Sequence, residues 1–203
     1  MASMRYILHQ TSKNDLNCNN KHSNQSFISG FSLIFRQKFA AGKLEEGMDL
    51  YKTLLARRDL HPFEKRLAFF NLGVGYHQSG EKGHATALRY WKDAVSIPIV
   101  ETGSELDKEE RALVAAANMN IGSLYVLSKD FEKGLKHLQS AAEITPEDGE
   151  VHFNIGVTLI GLGKYEEALK EMEAAKDRGI TGAWGAIEEI KTAMEKEEQE
   201  DVK

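Results

Sequence analysis

The chain has 203 residues, 28% of them charged and 41% apolar, and a formal charge of −5. That balance suits a globular chain with its own core and excludes a low-complexity one. The single cysteine, Cys18, excludes an intrachain disulfide, and no apolar run reaches the roughly 18 residues that a membrane-spanning helix needs.

Charge is unevenly spread. Residues 1–40 hold Arg5, Lys13, Lys21, Arg36 and Lys38 against one acid, Asp15, so this part is +4 and the rest −9. An acidic body argues against nucleic acid, whose phosphates need a basic stripe. Residues 1–26 read as a disordered tail, since they offer little apolar surface to offset ordering entropy. Their basic, acid-poor bias is also that of a mitochondrial transit peptide, but Asn14, Asn17, Asn19, Asn20 and Asn24 interrupt any amphipathic face. The expected location is the cytoplasm, with the mitochondrion as the alternative.

Helix pairs follow in chain order. Residues 27–60 read as a divergent pair: a first helix to about Ala40, a break at Gly42-Lys43, and a second helix on Leu44, Gly47, Met48, Tyr51 and Leu54. Residues 61–104 start at His61-Pro62, break at Ser79 to Gly83, and end in an insertion, Pro98 to Ser104. Residues 105–148 begin after Ser104, a capping residue with an acid three positions on, and break at Ser128-Lys129-Asp130. Thr145-Pro146-Glu147-Asp148 reads as the next start: cap, proline, acids. Residues 149–182 break at Gly161 to Lys164. Tyr165, Ala168, Leu169, Met172 and Ala175 then form one apolar helical stripe. Residues 183–203 give a final helix with Trp184, Ile187, Ile190 and Met194 as its apolar stripe, and an acidic end expected to fray after residue 198.

The pairs are copies of one another. Asn120-Ile121-Gly122 and Asn154-Ile155-Gly156 lie 34 residues apart, and Asn71-Leu72-Gly73 is an earlier copy. The first reads Phe69-x₂-Leu72-Gly73-x₂-Tyr76, then Ala87-x₃-Trp91. The second has Ile121, Gly122 and Tyr125, then Gly134-x₃-Leu138. The third has Ile155, Gly156 and Leu159, then Ala168-x₃-Met172. This pattern resembles the tetratricopeptide repeat. The bulky first position departs from it, being Asn118 and His152 in the second and third copies. The resemblance implies an all-α, right-handed solenoid of antiparallel helix pairs, closed by a C-terminal capping helix. The glycines and alanines are the small residues through which paired helices approach.

No constellation of residues reaches an active site, so the chain is not expected to be an enzyme. Cys18 and His22 form half a metal-ligand spacing without a second half. Gly73-Val74-Gly75 lies inside a helix rather than after a strand, and Gly161-Leu162-Gly163-Lys164 lacks the remainder of a phosphate loop. No metal and no cofactor are expected.

The resemblance also implies that first helices line a concave groove. Its positions are Leu67, Phe70, Asn71, Val74, His77 and Gln78; Ala116, Met119, Asn120, Ser123, Val126 and Leu127; and Glu150, Phe153, Asn154, Val157, Ile160 and Gly161. Phe70, Met119, Val126, Phe153 and Ile160 are expected to form an apolar strip, and Asn71, Asn120 and Asn154 to bond a ligand backbone. The basic residues that clamp acidic tails in some family members are missing. The expected function is a scaffold or adaptor holding a hydrophobic or amphipathic segment of another protein, with no nucleic-acid partner. The alternative is self-association, the groove being filled by a second copy or by Phe27, Phe31, Ile34 and Phe35.

Overall fold

A computed structural model describes residues 33–35, 37–99, 103 and 105–201. Among them there are helices and no strand. The chain divides into two compact units, residues 1–102 and 103–203. The expected disordered tail, Cys18, Phe27, Phe31 and the Ser104 cap lie outside the described residues.

In the first unit, residues 33–35 and 37–40 are helical. They precede α1 (Leu44–Leu55), α2 (Pro62–Gln78) and α3 (Glu81–Ser96). Helix α2 packs on both α1 and α3. Its start is a capping box with histidine as the cap. His61 Nδ1 accepts from Phe63 N–H at 3.2 Å, and Glu64 Oε2 accepts from His61 N–H at 2.9 Å. The core joins Phe35, Met48, Tyr51, Leu54, Ala68 and Leu72. In the divergent pair the large and small residues are exchanged. Phe35 is buried where the other copies have glycine, and the facing Gly47 makes room, a Cβ there falling 3.1 Å from the Phe35 ring. Phe35 also meets Tyr51 edge-on at 5.1 Å, so it is core and not a segment free to fill a groove.

The second unit holds α4 (Glu105–Leu127), α5 (Phe131–Ile144), α6 (Gly149–Gly161), α7 (Tyr165–Asp177) and α8 (Gly182–Asp201). Helices α4 and α5 form one pair and α6 and α7 the next, and α8 packs on α7. Helix α6 starts three residues later than the Thr145-Pro146 signal. Its cap is Asp148, which accepts from Glu150 N–H at 3.0 Å. Thr145 serves the preceding helix instead, its hydroxyl donating to Ala141 O at 3.1 Å and satisfying a C-terminal carbonyl. On α8 the buried stripe is Ala183, Ile187 and Ile190, at i, i+4 and i+7, which turns Trp184 outward to 63% exposure. Lys176 lies over its ring at 5.0 Å. Helix α8 continues to Asp201, beyond the point where fraying is expected.

Close approach within each pair falls at the repeated glycines. A Cβ on Gly73 would stand 2.4 Å from Trp91, one on Gly122 2.7 Å from Leu138, and one on Gly156 2.9 Å from Met172. The departures at the bulky position also find partners at one repeated place. Phe69 meets Tyr90 at 6.1 Å between ring centroids. Asn118 Oδ1 bonds His137 Nδ1 at 2.9 Å, and His152 Nδ1 bonds Glu171 Oε2 at 2.7 Å. Each is a bridge from the first helix of a pair to the second.

Candidate functional site

Five of the expected groove positions of the second unit line a hollow. It has a volume of about 200 Å³ and is lined by Ser123, Val126 and Leu127 of α4, Leu138 of α5, and Asn154 and Val157 of α6. Spacings of i, i+3 and i+4 put the three α4 residues on one face, and i, i+3 does the same for the α6 pair. Gly134 sets the depth, since a Cβ there would meet Val126 Cγ2 at 2.8 Å and the Gly122 carbonyl at 3.2 Å. With hydrogen alone at that position, α5 presses against α4 and Val126 forms a wall of the hollow.

The rim is apolar and exposed. Leu127 is 65% exposed and Val157 38%. Polar groups inside differ in how they are satisfied. Ser123 Oγ donates to Met119 O in its own helix at 2.9 Å. Asn154 Nδ2 is buried with no hydrogen-bond partner among the described residues. A buried amide donor without an acceptor costs about 1–3 kcal/mol, which an acceptor on a ligand would recover. One helical turn before Asn154 stands Glu150, half-buried, with no ion-pair partner among the described residues. Burial, and then the neighbouring Asp148 charge, pushes its carboxyl above the usual range. Burial likewise raises Asp148, against the opposing pull of the backbone N–H groups it caps.

The remaining site residues fall elsewhere. Phe70 and Met119 are each 3% exposed and Val74 7%, so these offer a ligand no surface; they belong to the core and not to an open apolar strip. Asn71 Nδ2 donates to Leu67 O at 2.9 Å, so its amide is occupied within α2. His77 is half-buried and stacks on His84 at 4.9 Å, 5.7 Å from the Trp91 ring. Burial first, and then the His84 charge, holds its imidazole below the usual range. Asn120 and Ile160 are half-buried, and half-buried Phe153 lies 3.5 Å from where a Gly182 Cβ would be. Two residues that matter carry no functional signal in the sequence. Leu138 floors the hollow although its spacing marks it only as core. Arg66, fully buried, donates to Ala94 O at 2.7 Å and Ile97 O at 2.8 Å, capping the end of α3. No periodicity marks a charged side chain for that role.

No group of three or more metal-ligating side chains occurs among the described residues, and no helix there is long and apolar enough to cross a membrane.

Comparison with known proteins bears on the fold. Residues 115–148 and 149–178 match the family model described as tetratricopeptide repeat. No curated protein matches the chain. Among solved structures it is similar to MamA residues 41 to the end from Desulfovibrio magneticus RS-1, at 13% identity and TM-score 0.63, covering 83% of this chain and 85% of that one. A second MamA crystal structure aligns at 17% identity and TM-score 0.60, covering 84% and 98%. YrrB, described as a tetratricopeptide protein with an unusual peptide-binding site, aligns at 20% identity and TM-score 0.55, covering 80% and 75%. At such identities the likeness is one of fold. Residues 115–178 therefore carry tetratricopeptide repeats matched in sequence, and the chain has the all-α helix-pair fold of these solved solenoids.

Proposed function

We propose that this chain is a non-catalytic protein-binding scaffold and that the hollow between α4, α5 and α6 receives a segment of another protein. The observation that carries this reading is the unpartnered Asn154 amide beside two exposed apolar side chains, Leu127 and Val157. A peptide offers both things the hollow lacks, a backbone carbonyl for the amide and an apolar side chain for the cavity. That YrrB has a peptide-binding site on the same fold adds a precedent.

The test is selection of peptides from a random displayed library on the full chain, followed by binding to Val157→Asp. Val157 is exposed, so the variant keeps its melting temperature. Selected peptides are expected to lose at least tenfold in affinity to it, since a charge then sits where an apolar anchor packs. Equal binding to wild type and variant would sink the proposal.

A further inference from the structure

The hollow carries a second piece of chemistry, whose assignment depends on the scaffold role proposed for it. Glu150, Asn154 and Val157 fall at i, i+4 and i+7, on one face of α6. At 1.5 Å per residue, Glu150 stands about 6 Å along the helix from the unpartnered amide and about 10 Å from Val157. Its carboxylate is half-buried without a cation to meet it among the described residues. At the groove positions of α4 and α6 no lysine or arginine occurs, and Glu150 is the sole charge. A ligand acid would meet repulsion there, and a ligand cation would meet the sole charge at these groove positions.

We infer that the occupant is an extended peptide segment carrying an aliphatic side chain for the hollow and a lysine or arginine two or three residues away for Glu150. The spacing follows from geometry: about 6–10 Å along α6 corresponds to two or three residues of extended chain at about 3.3 Å each. The carbonyl between them lies level with Asn154. Acidic C-terminal tails are excluded as ligands, having the wrong sign of charge and no basic groove residue to receive them. Burial already raises the Glu150 carboxyl, and a cation beside it relieves that cost.

The chain itself contains the pattern: Arg5-Tyr6-Ile7-Leu8 sets a basic residue three positions before an aliphatic one. A synthetic peptide of residues 3–11, labelled at its end, therefore serves as the probe. Binding to the full chain is measured by fluorescence anisotropy at low and physiological salt. The peptide is expected to bind saturably. Arg5→Glu in the peptide should weaken it about tenfold, and Leu8→Ser by a similar factor. Against the Glu150→Gln protein, the native peptide and its Arg5→Glu variant should bind alike, while Leu8→Ser should still bind more weakly. Glu150 is on the groove face and not in the core, so this variant folds; an unchanged circular dichroism melt checks it.

The outcomes separate the two proposals. If Leu8→Ser weakens binding but Arg5→Glu does not, or if Glu150→Gln retains the charge preference, the pairing of cation and Glu150 is wrong while the scaffold reading stands. If library-selected peptides bind through Val157 but none carries a basic residue near its aliphatic anchor, the inference again fails alone. If Leu8→Ser has no effect and library peptides ignore Val157→Asp, both fail.

Discussion

Two glycines at the same repeat position predict opposite outcomes when each is replaced by alanine. At Gly73 a Cβ would lie 2.4, 2.5 and 2.8 Å from Nε1, Cδ1 and Cε2 of Trp91. The indole is 1% exposed and its Nε1–H donates to Phe70 O at 3.1 Å, so the ring is held on both counts. Moving it costs about 1–3 kcal/mol of overpacking and leaves a buried donor unmade, about 1–3 kcal/mol more. Alanine regains only about 0.5–1 kcal/mol of helix propensity. The net loss for Gly73→Ala is about 1–5 kcal/mol. At Gly156 the Cβ would meet Cε, Cγ and Sδ of Met172 at 2.9, 3.0 and 3.2 Å. A thioether has three rotatable bonds and yields cheaply, so overpacking falls to about 1 kcal/mol and the helix gain nearly cancels it. Urea unfolding followed by circular dichroism measures both, and Trp91→Leu supplies the control background in which Gly73→Ala should cost less than about 1 kcal/mol. Equal losses at the two glycines, or a Gly73→Ala penalty that persists without the indole, would refute the assignment of Gly73 to the Trp91 ring.

Arg66→Met should destabilise by about 3–5 kcal/mol, because its charge-assisted bonds, about 1.5–3 kcal/mol for each good one, end and the carbonyls of Ala94, Ile97 and Pro98 lose their donor. Arg66→Lys should fall between, since one ammonium cannot span these carbonyls as a guanidinium fork does; chemical denaturation ranks the three proteins. His77 should make stability pH-dependent. Its folded value is held below the unfolded value of about 6.5, so the unfolded chain takes up the proton first as pH falls. The contribution is complete above about pH 6.5 and is lost below it, down through the folded value. His77→Phe should therefore lose less melting temperature between pH 7.5 and 5.5 than wild type, and identical losses would remove His77 as the cause.

The helix pairs are legible in the sequence because glycine and apolar spacing recur with a period, and a period survives without knowledge of any contact. Gly122 and Gly156 are informative for that reason. Periodicity does not give the use made of individual polar groups. Thr145 has the composition of a helix start, yet its hydroxyl closes the helix before it. Trp184 has the bulk of a core residue, yet it stands one position from the stripe that Ala183, Ile187 and Ile190 bury. The departures at Asn118 and His152 look like decay of the pattern. Each is instead half of a bridge whose other half, His137 or Glu171, lies 19 residues on. Only a three-dimensional pairing shows that the residue types changed together.

The same distinction decides where an open site lies. Asn71 and Asn154 occupy one repeat position and have the same side chain. On α2 the amide is spent on Leu67 O, and its groove-position neighbours Phe70 and Val74 are buried. On α6 the amide has no acceptor among the described residues, and Val157, three residues on, is 38% exposed. A repeat position therefore specifies where a side chain points but not whether it is free to bind. Freedom depends on which carbonyls the same helix leaves within reach and on how closely its neighbours pack. On that ground we propose the face of α6 running from Glu150 through Asn154 to Val157 as the one that binds.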